Sequence, residues 1–346
     1  MCKCISRLAV HAIIILSITA CVVQRADAQN VRITASGASF PFPLYTAWFQ
    51  EFGRLHRNIR INYQSVGSGA GVQALINRTV DFAASDSAMT DEQIKQVNGG
   101  VVLLPMTAGT IVLTYNLSGV PHLKLPREIY PLIFTGEITR WRDPRIVAAN
   151  PGVTLPDLAI TVVRRSDSSG TTFVFTKHLS AISPAFKSAM GFGTTVQWPN
   201  RPNFVGAPRN DGVAATVHQT PGGVGYVEYG FAKLSNQPMA LLENKAGKFV
   251  AANAESGAAA LASADLSGED LRAWVEDPAG ENAYPISTFT WMLFYRHLNR
   301  PAVTDALRKM VEWAITDGQK KAEALGYVPL PEVVVKRIRT EIPHIR

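Results

Sequence analysis

The sequence predicts an α/β protein built on a mainly parallel sheet, and three observations predict it. Strand-like and helix-like runs alternate along most of the chain. Charged residues make up only 18% of it and are evenly mixed, with no internal repeat, low-complexity tract or long linker. Three strand-like runs end in a short Gly/Ser/Thr turn that opens a helix-like run: Thr34-Ala35-Ser36-Gly37-Ala38-Ser39-Phe40, Gly67-Ser68-Gly69-Ala70-Gly71 and Arg164-Arg165-Ser166-Asp167-Ser168-Ser169-Gly170-Thr171-Thr172. In parallel sheets, ligands bind beyond the carboxyl ends of the strands, which is where all three turns fall.

Taken in order, Val31 to Ala35 reads as a strand, Leu44 to Leu55 as a helix and Ile59 to Tyr63 as a second strand. Val72 to Asn77 reads as a helix, and Val80 to Ala84 and Thr110 to Tyr115 as strands. The apolar run Leu158 to Val163 leads into the third turn and a helical stretch, Thr172 to Leu179. Gly223 to Tyr229 and Phe289 to Tyr295 are strand-like. Residues Pro301 to Ala324 have helical spacing, with Val303, Leu307, Met310, Val311 and Ile315 on one face and Pro301 in the first turn.

The N-terminus carries the marks of export. Lys3 and Arg7 precede the largely apolar stretch Leu8 to Val23, and Ala26-Asp27-Ala28 is a small-x-small cleavage site. A signal peptide over 1–28 is expected. Ile18-Thr19-Ala20-Cys21 also resembles a lipobox, which would make Cys21 a lipidated terminus. Cys2, Cys4 and Cys21 are the only cysteines, so disulfides and thiolate chemistry are excluded from the processed chain. Cleavage removes Lys3, Arg7, Arg25 and Asp27, and the net charge falls from +7 to +5. The densest basic cluster, Lys336-Arg337-Ile338-Arg339, lies among apolar residues and reads as the solvated face of a last helix rather than a nucleic-acid patch.

Several enzyme signatures are missing. Gly247-Lys248 is followed by Phe249, so there is no P-loop, and neither G-x-S-x-G nor H-E-x-x-H occurs. Gly67-Ser68-Gly69-Ala70-Gly71 misses the dinucleotide-binding pattern. The histidines after residue 28 are widely separated, which argues against a metal role.

What remains fits a dehydrated anion cage. Helix N-termini present unpaired N–H groups and partial positive charge. Arg165 supplies a fixed positive fork, and Asp167 is placed to lock that arginine, to cap the helix starting near Thr171, or to do both. Ser39, Ser68, Ser169 and Thr171 offer hydroxyls, each of which an ordinary helix cap would also explain. Asp86 is the odd member: a carboxylate beside an anion is tolerated only when the anion brings a proton to donate, as phosphate does and sulfate does not at neutral pH. As an alternative, Asp86 caps a helix whose first turn holds Asp91 and Glu92.

At this point a resemblance enters. Gly37-Ala38-Ser39-Phe40-Pro41, Tyr63-Gln64-Ser65-Val66-Gly67-Ser68, Asp81-Phe82-Ala83-Ala84-Ser85-Asp86, Val163 to Thr171, Asn210-Asp211-Gly212-Val213-Ala214 and Gly225-Tyr226-Val227-Glu228-Tyr229 recur in order. With them the chain resembles the periplasmic phosphate-binding proteins of the high-affinity phosphate ABC transporter, from about Ile33 to the C-terminal helix. The resemblance implies the two-lobed periplasmic binding protein fold of type II, with the ligand in the cleft between lobes. It divides the chain into one lobe of 31–108 plus 287–346 and another of 109–286. It implies phosphate ligands at Ser39, the Phe40 backbone, Ser68, Asp86, Arg165, Ser169, Gly170 and Thr171, with Asp167 supporting Arg165. Ser39 stands where the family commonly has threonine, and Ser168 where it often has glycine. The implied partners are inorganic phosphate and the permease and ATPase subunits of a membrane transporter. No cofactor, metal, nucleic acid or catalytic step is implied, and the protein would act as a monomer in the periplasm. A secreted phosphoesterase would lack an activated nucleophile and a convincing base. A phosphate sensor or adhesin on the same fold stays open.

Overall fold

The computed structural model describes residues 30–346 apart from 266, 267 and 269; the expected signal peptide and Cys21 lie outside the described residues. The chain opens with β1 (Val31–Gly37), α1 (Phe42–Leu55), β2 (Ile59–Ser65), α2 (Ser68–Ile76), β3 (Phe82–Ser85), α3 (Asp91–Lys95) and β4 (Val101–Tyr115). It continues through β5 (Lys124–Leu125), α4 (Tyr130–Thr135), α5 (Pro144–Ala149), β6 (Thr161–Arg165), α6 (Gly170–Ile182), α7 (Pro184–Met190), β7 (Phe204–Ala207), α8 (Arg209–Gln219) and β8 (Gly223–Glu228). After α9 (Tyr229–Leu234), β9 (Leu241–Glu243), β10 (Phe249–Val250) and α10 (Ala254–Leu261), it returns as β11 (Ser287–Tyr295), α11 (Pro301–Ala314) and α12 (Glu332–Glu341).

Eight strands form one sheet in the order β2-β1-β3-β11-β4-β8-β6-β7, and β10-β9-β5 form a small second one. Pairing is parallel in each flank, β2-β1-β3 and β8-β6-β7. The two central strands break this: β11 runs antiparallel to β3 and β4, and β4 antiparallel to β8. The sheet is therefore mixed, with parallel flanks. Every residue of β3, β4, β8 and β11 is buried. Side chains of a strand alternate between faces, so both faces of these strands are covered.

β4 joins the halves. Its first part, to Thr110, pairs with β11, and Ile111 to Tyr115 pair with β8. Because β4 and β11 reverse direction in turn, β1 and β3 run one way and β6 and β8 the other. Their carboxyl ends therefore converge on the middle of β4. Glu228 at the end of β8 lies opposite Ile111, and Ser85 at the end of β3 pairs with Trp291, itself opposite Pro105.

Two expectations are corrected. The helix predicted to Ala324 ends at Ala314 and continues as 3₁₀ turns over Asp317–Lys321 and Glu323–Leu325. The backbone leaves helical geometry at Thr316 (φ −117°, ψ −93°), and the Trp48 indole of α1 donates to the Gly318 carbonyl at 2.7 Å in the core just beyond. The strand read as Thr110 to Tyr115 is only the last six residues of the 15-residue β4. The basic cluster 336–339 lies on α12 with Ile338 buried and Lys336 and Arg339 exposed, as a solvated helix face requires.

Candidate functional site

At the convergence of the two flanks the structure brings together every residue expected there. The turn after β1 supplies Ser39 and Phe40, the start of α2 supplies Ser68, and the end of β3 supplies Asp86. From the other half come Arg165 at the end of β6 and Ser169, Gly170 and Thr171 at the start of α6. Ser39, Ser68, Asp86, Arg165, Ser169 and Thr171 are all buried.

Arg165 is held from two sides. Its Nε donates to Asp167 Oδ1 at 2.7 Å, and a second guanidinium nitrogen donates to Asp167 Oδ2, a bidentate pair. Its Nη1 donates to Thr171 Oγ1 at 3.3 Å, and the Tyr226 hydroxyl accepts its backbone N–H at 3.1 Å. Burial pushes the Asp167 carboxyl up, but the Arg165 pair and the Arg209 N–H, at 3.1 Å from Oδ1, leave it below its ordinary value. Asp167 thus locks the arginine. Capping of α6 falls to Ser169, whose Oγ accepts the Thr172 N–H at 3.0 Å.

Asp86 faces this group from the other half. Thr290 of β11 donates to its Oδ1 at 2.8 Å, and Ser68 donates to its Oδ2 at 3.4 Å. Burial pushes the Asp86 carboxyl up to about 7, although the Thr290 hydroxyl, the Arg165 charge and the Ser68 and Thr171 hydroxyls each pull it down. Asp86 does not cap α3; Thr90 does, through a capping box with Gln93. Ser68 is the first residue of α2 rather than its cap, which is Gly67.

The halves touch closely. A Cβ on Gly170 would lie 2.4 Å from Ser68 Oγ and 2.7 Å from Asp86 Cβ. Gly67 has a φ of +97°, and a Cβ there would meet Asp167 Oδ2 at 2.5 Å. The Gly69 N–H donates to the Ser168 carbonyl at 3.0 Å. The Ser168 hydroxyl donates to Thr194 Oγ1 at 3.0 Å. The Phe40 ring packs edge-on against Tyr327, whose hydroxyl donates to the Phe40 carbonyl at 2.7 Å.

Two residues in the cluster escaped the sequence reading. Thr290 lies inside an apolar strand-like run, where a threonine reads as a β-former. Asn210 carried only the resemblance. It is fully buried, donates from Nδ2 to Ser39 Oγ at 3.0 Å and to Thr171 Oγ1 at 3.2 Å, and so bridges the halves. Its signal was an asparagine in the opening turn of a helix at a strand end. Beside the cluster a groove of about 620 Å³ runs along the mouth between the halves, lined by Met89, Asp91, Phe173, Arg272 and Trp274 among others.

Chemically, the buried cluster offers several donors, the Arg165 guanidinium and the Asp86 carboxyl. Among the described residues no group of three or more His, Cys, Asp or Glu could hold a metal ion. The buried His178 is structural, bonded to the Tyr130 hydroxyl at 2.7 Å and the Glu276 carbonyl at 2.8 Å.

A sheet of opposed parallel flanks with a polar cluster at their meeting point defines a two-lobed binding protein of the periplasmic type II class. The PBP superfamily domain matches residues 23–317. The phosphate-binding protein PstS of Pasteurella multocida is 40% identical over 316 residues, covering 90% of each chain. That of Haemophilus influenzae is 38% identical over 317 residues, covering 91% of this chain and 93% of the relative. The chain belongs to the PstS family of phosphate-binding proteins within that superfamily. Its fold is also that of a high affinity periplasmic phosphate-binding protein (PfluDING) solved with phosphate, at a TM-score of 0.75, 22% identity and coverage of 90% and 94%. A phosphate binding protein from Stenotrophomonas maltophilia superposes with a TM-score of 0.70 at 22% identity and the same coverage.

Proposed function

We propose that the protein captures inorganic phosphate in the periplasm and delivers it to an ABC permease for import, without a catalytic step. Ser39, the Phe40 N–H, Ser68, Arg165, Ser169, Gly170 and Thr171 donate to the anion, Asp86 accepts its proton, and Asp167 holds Arg165 in place. The lobes are 31–108 with 287–346 and 109–286, closing about β4 and the return into β11.

One observation carries this reading. Asp86 sits buried among donors, with Thr290 and Ser68 on its oxygens and Gly170 packed against it from the other half. Such a site suits an anion that offers a hydrogen to Asp86 and acceptors to everything else. A fully ionised tetrahedral anion would leave acceptor facing acceptor in the dry interior. Membership of the PstS family supports the ligand and the transporter partners. The export marks at residues 1–28 support the periplasm. Among the described residues no helix is long and apolar enough to cross a membrane.

Titration calorimetry on purified protein, unfolded and refolded to strip ligand, tests the reading. One-to-one phosphate binding with no sulfate response at pH 7 is expected. Equal binding of both anions would remove the role given to Asp86, and binding of neither would remove phosphate.

A further inference from the structure

Asn210 is fixed in orientation by its surroundings. Its Oδ1 accepts the backbone N–H of Glu228 at 2.9 Å, which only an oxygen can do. The amide nitrogen therefore faces Ser39 and Thr171, and its two hydrogens go one to each hydroxyl, at 3.0 and 3.2 Å. The backbone N–H of Asn210 also donates to Ser39 Oγ, at 3.2 Å. Arg209, just before it, has a φ of +56°, uncommon for a residue with a side chain, and its own N–H is tied to Asp167 Oδ1. This turn aims the Asn210 N–H out of α8 and toward Ser39.

A hydroxyl has one hydrogen to give and two lone pairs to receive with. Ser39 Oγ receives two hydrogens, both from Asn210. Thr171 Oγ1 also receives two, from Asn210 and Arg165. With both lone pairs of each oxygen occupied, neither hydroxyl can act as an acceptor toward a ligand. We propose that Asn210 is a specificity-determining positioning residue: by filling both acceptor sites of Ser39 and, together with Arg165, those of Thr171, it makes both hydroxyls obligate donors into the cage. One residue of α8, through its backbone N–H and its amide, thereby helps fix the hydrogen direction of a serine from one half and a threonine from the other. The inference rests on the phosphate reading above, and it deepens that reading by explaining how neutral hydroxyls become sign-selective.

The test is a double-mutant cycle between Asn210 and Ser39, read by phosphate calorimetry on the purified protein. In the Asn210→Asp variant, nearly isosteric, one oxygen still accepts from Glu228 while the other becomes an acceptor for the two hydroxyls. Their hydrogens then turn toward it and away from the ligand. Ser39→Ala is expected to weaken phosphate about tenfold in the wild type and less than twofold in the Asn210→Asp background. Asn210→Ala serves if the aspartate variant fails to fold. It frees the Ser39 hydroxyl to rotate, so the Ser39→Ala loss is expected to shrink to about threefold there. A Ser39→Ala loss equal in all backgrounds would overturn the inference, because added charge or altered packing alone leaves that loss intact. Wild-type protein that binds no phosphate would overturn the underlying reading, and the inference with it. Binding by the wild type with unchanged coupling would overturn the inference alone.

Discussion

Asp86 shows how a single side chain carries two consequences of burial. Its carboxyl is ordinary in the unfolded chain, near 3.8, and pushed up to about 7 in the fold, chiefly by loss of water. The folded state therefore holds a proton that the unfolded state releases between those values. That contribution is fully present below about pH 4 and is lost as pH rises through about 7, a swing on the order of 4 kcal/mol for a fully buried group. The ligand-free wild type is thus expected to lose stability relative to Asp86→Asn between pH 5 and pH 8, as measured by urea denaturation. A difference that stays flat with pH would show Asp86 ionised in both states. The residue scale is also where sequence reading succeeded and failed for visible reasons. Arg165, Asp86 and the turn hydroxyls were picked out because they recur together at strand ends, although each hydroxyl and Asp86 also had an ordinary reading as a helix cap. Asn210 and Thr290 were not, because each is the ordinary residue for its local setting and gains its meaning only from a partner over 100 positions away.

At the scale of elements, α6 brings its first turn against Ser68 and Asp86 with no room for a side chain at Gly170. Gly170→Ala should not weaken the helix, in which Gly170 is the first residue after the cap. The added methyl clashes only when the halves meet. The expected outcome is at least a tenfold loss of phosphate affinity with an unchanged or slightly raised melting temperature in the absence of ligand. Retained affinity would mean that the halves close less tightly than the structure has them. The elements themselves were legible where apolar spacing is regular, as in α1 and in α11 up to Ala314, each with a proline in its first turn. The sheet centre was not. β4 contains Pro105 and Gly109, which punctuate the sequence like a turn, yet all of it is one buried strand. Direction is also silent in a continuously apolar strand, so the antiparallel run of β4 and β11 could not be read from composition.

Across the whole molecule, the cage is backed by a second set of contacts at the mouth between the halves. Arg272 Nη2 lies 2.7 Å from Asp91 Oδ1, its Nη1 donates to the Met89 carbonyl at 3.1 Å, and its Nε donates to Asp270 Oδ2 at 2.6 Å. Two residues on, Trp274 packs against Phe173 of α6 and Trp291 of β11, with ring centroids 5.3 Å away in both cases. The Trp291 indole donates to the Leu271 carbonyl at 2.9 Å. The segment 270–274 therefore ties β11 and the loop after Asp86 to the helix that presents Gly170 and Thr171. The ion pair with Asp91 is partly exposed, so it is worth at most about 1 kcal/mol and is screened by salt. The cage side chains, by contrast, are buried. Arg272→Ala is expected to speed phosphate release two- to fivefold at low ionic strength, with the association rate little changed, in stopped-flow measurements. At 1 M salt, where screening acts within about 3 Å, the wild type should approach the variant. Equal release rates at low salt would make the mouth contacts bystanders and leave closure to the cage alone. A variant defect that persists unchanged in high salt would assign the tie to the Met89 hydrogen bond and the Trp274 packing rather than to charge.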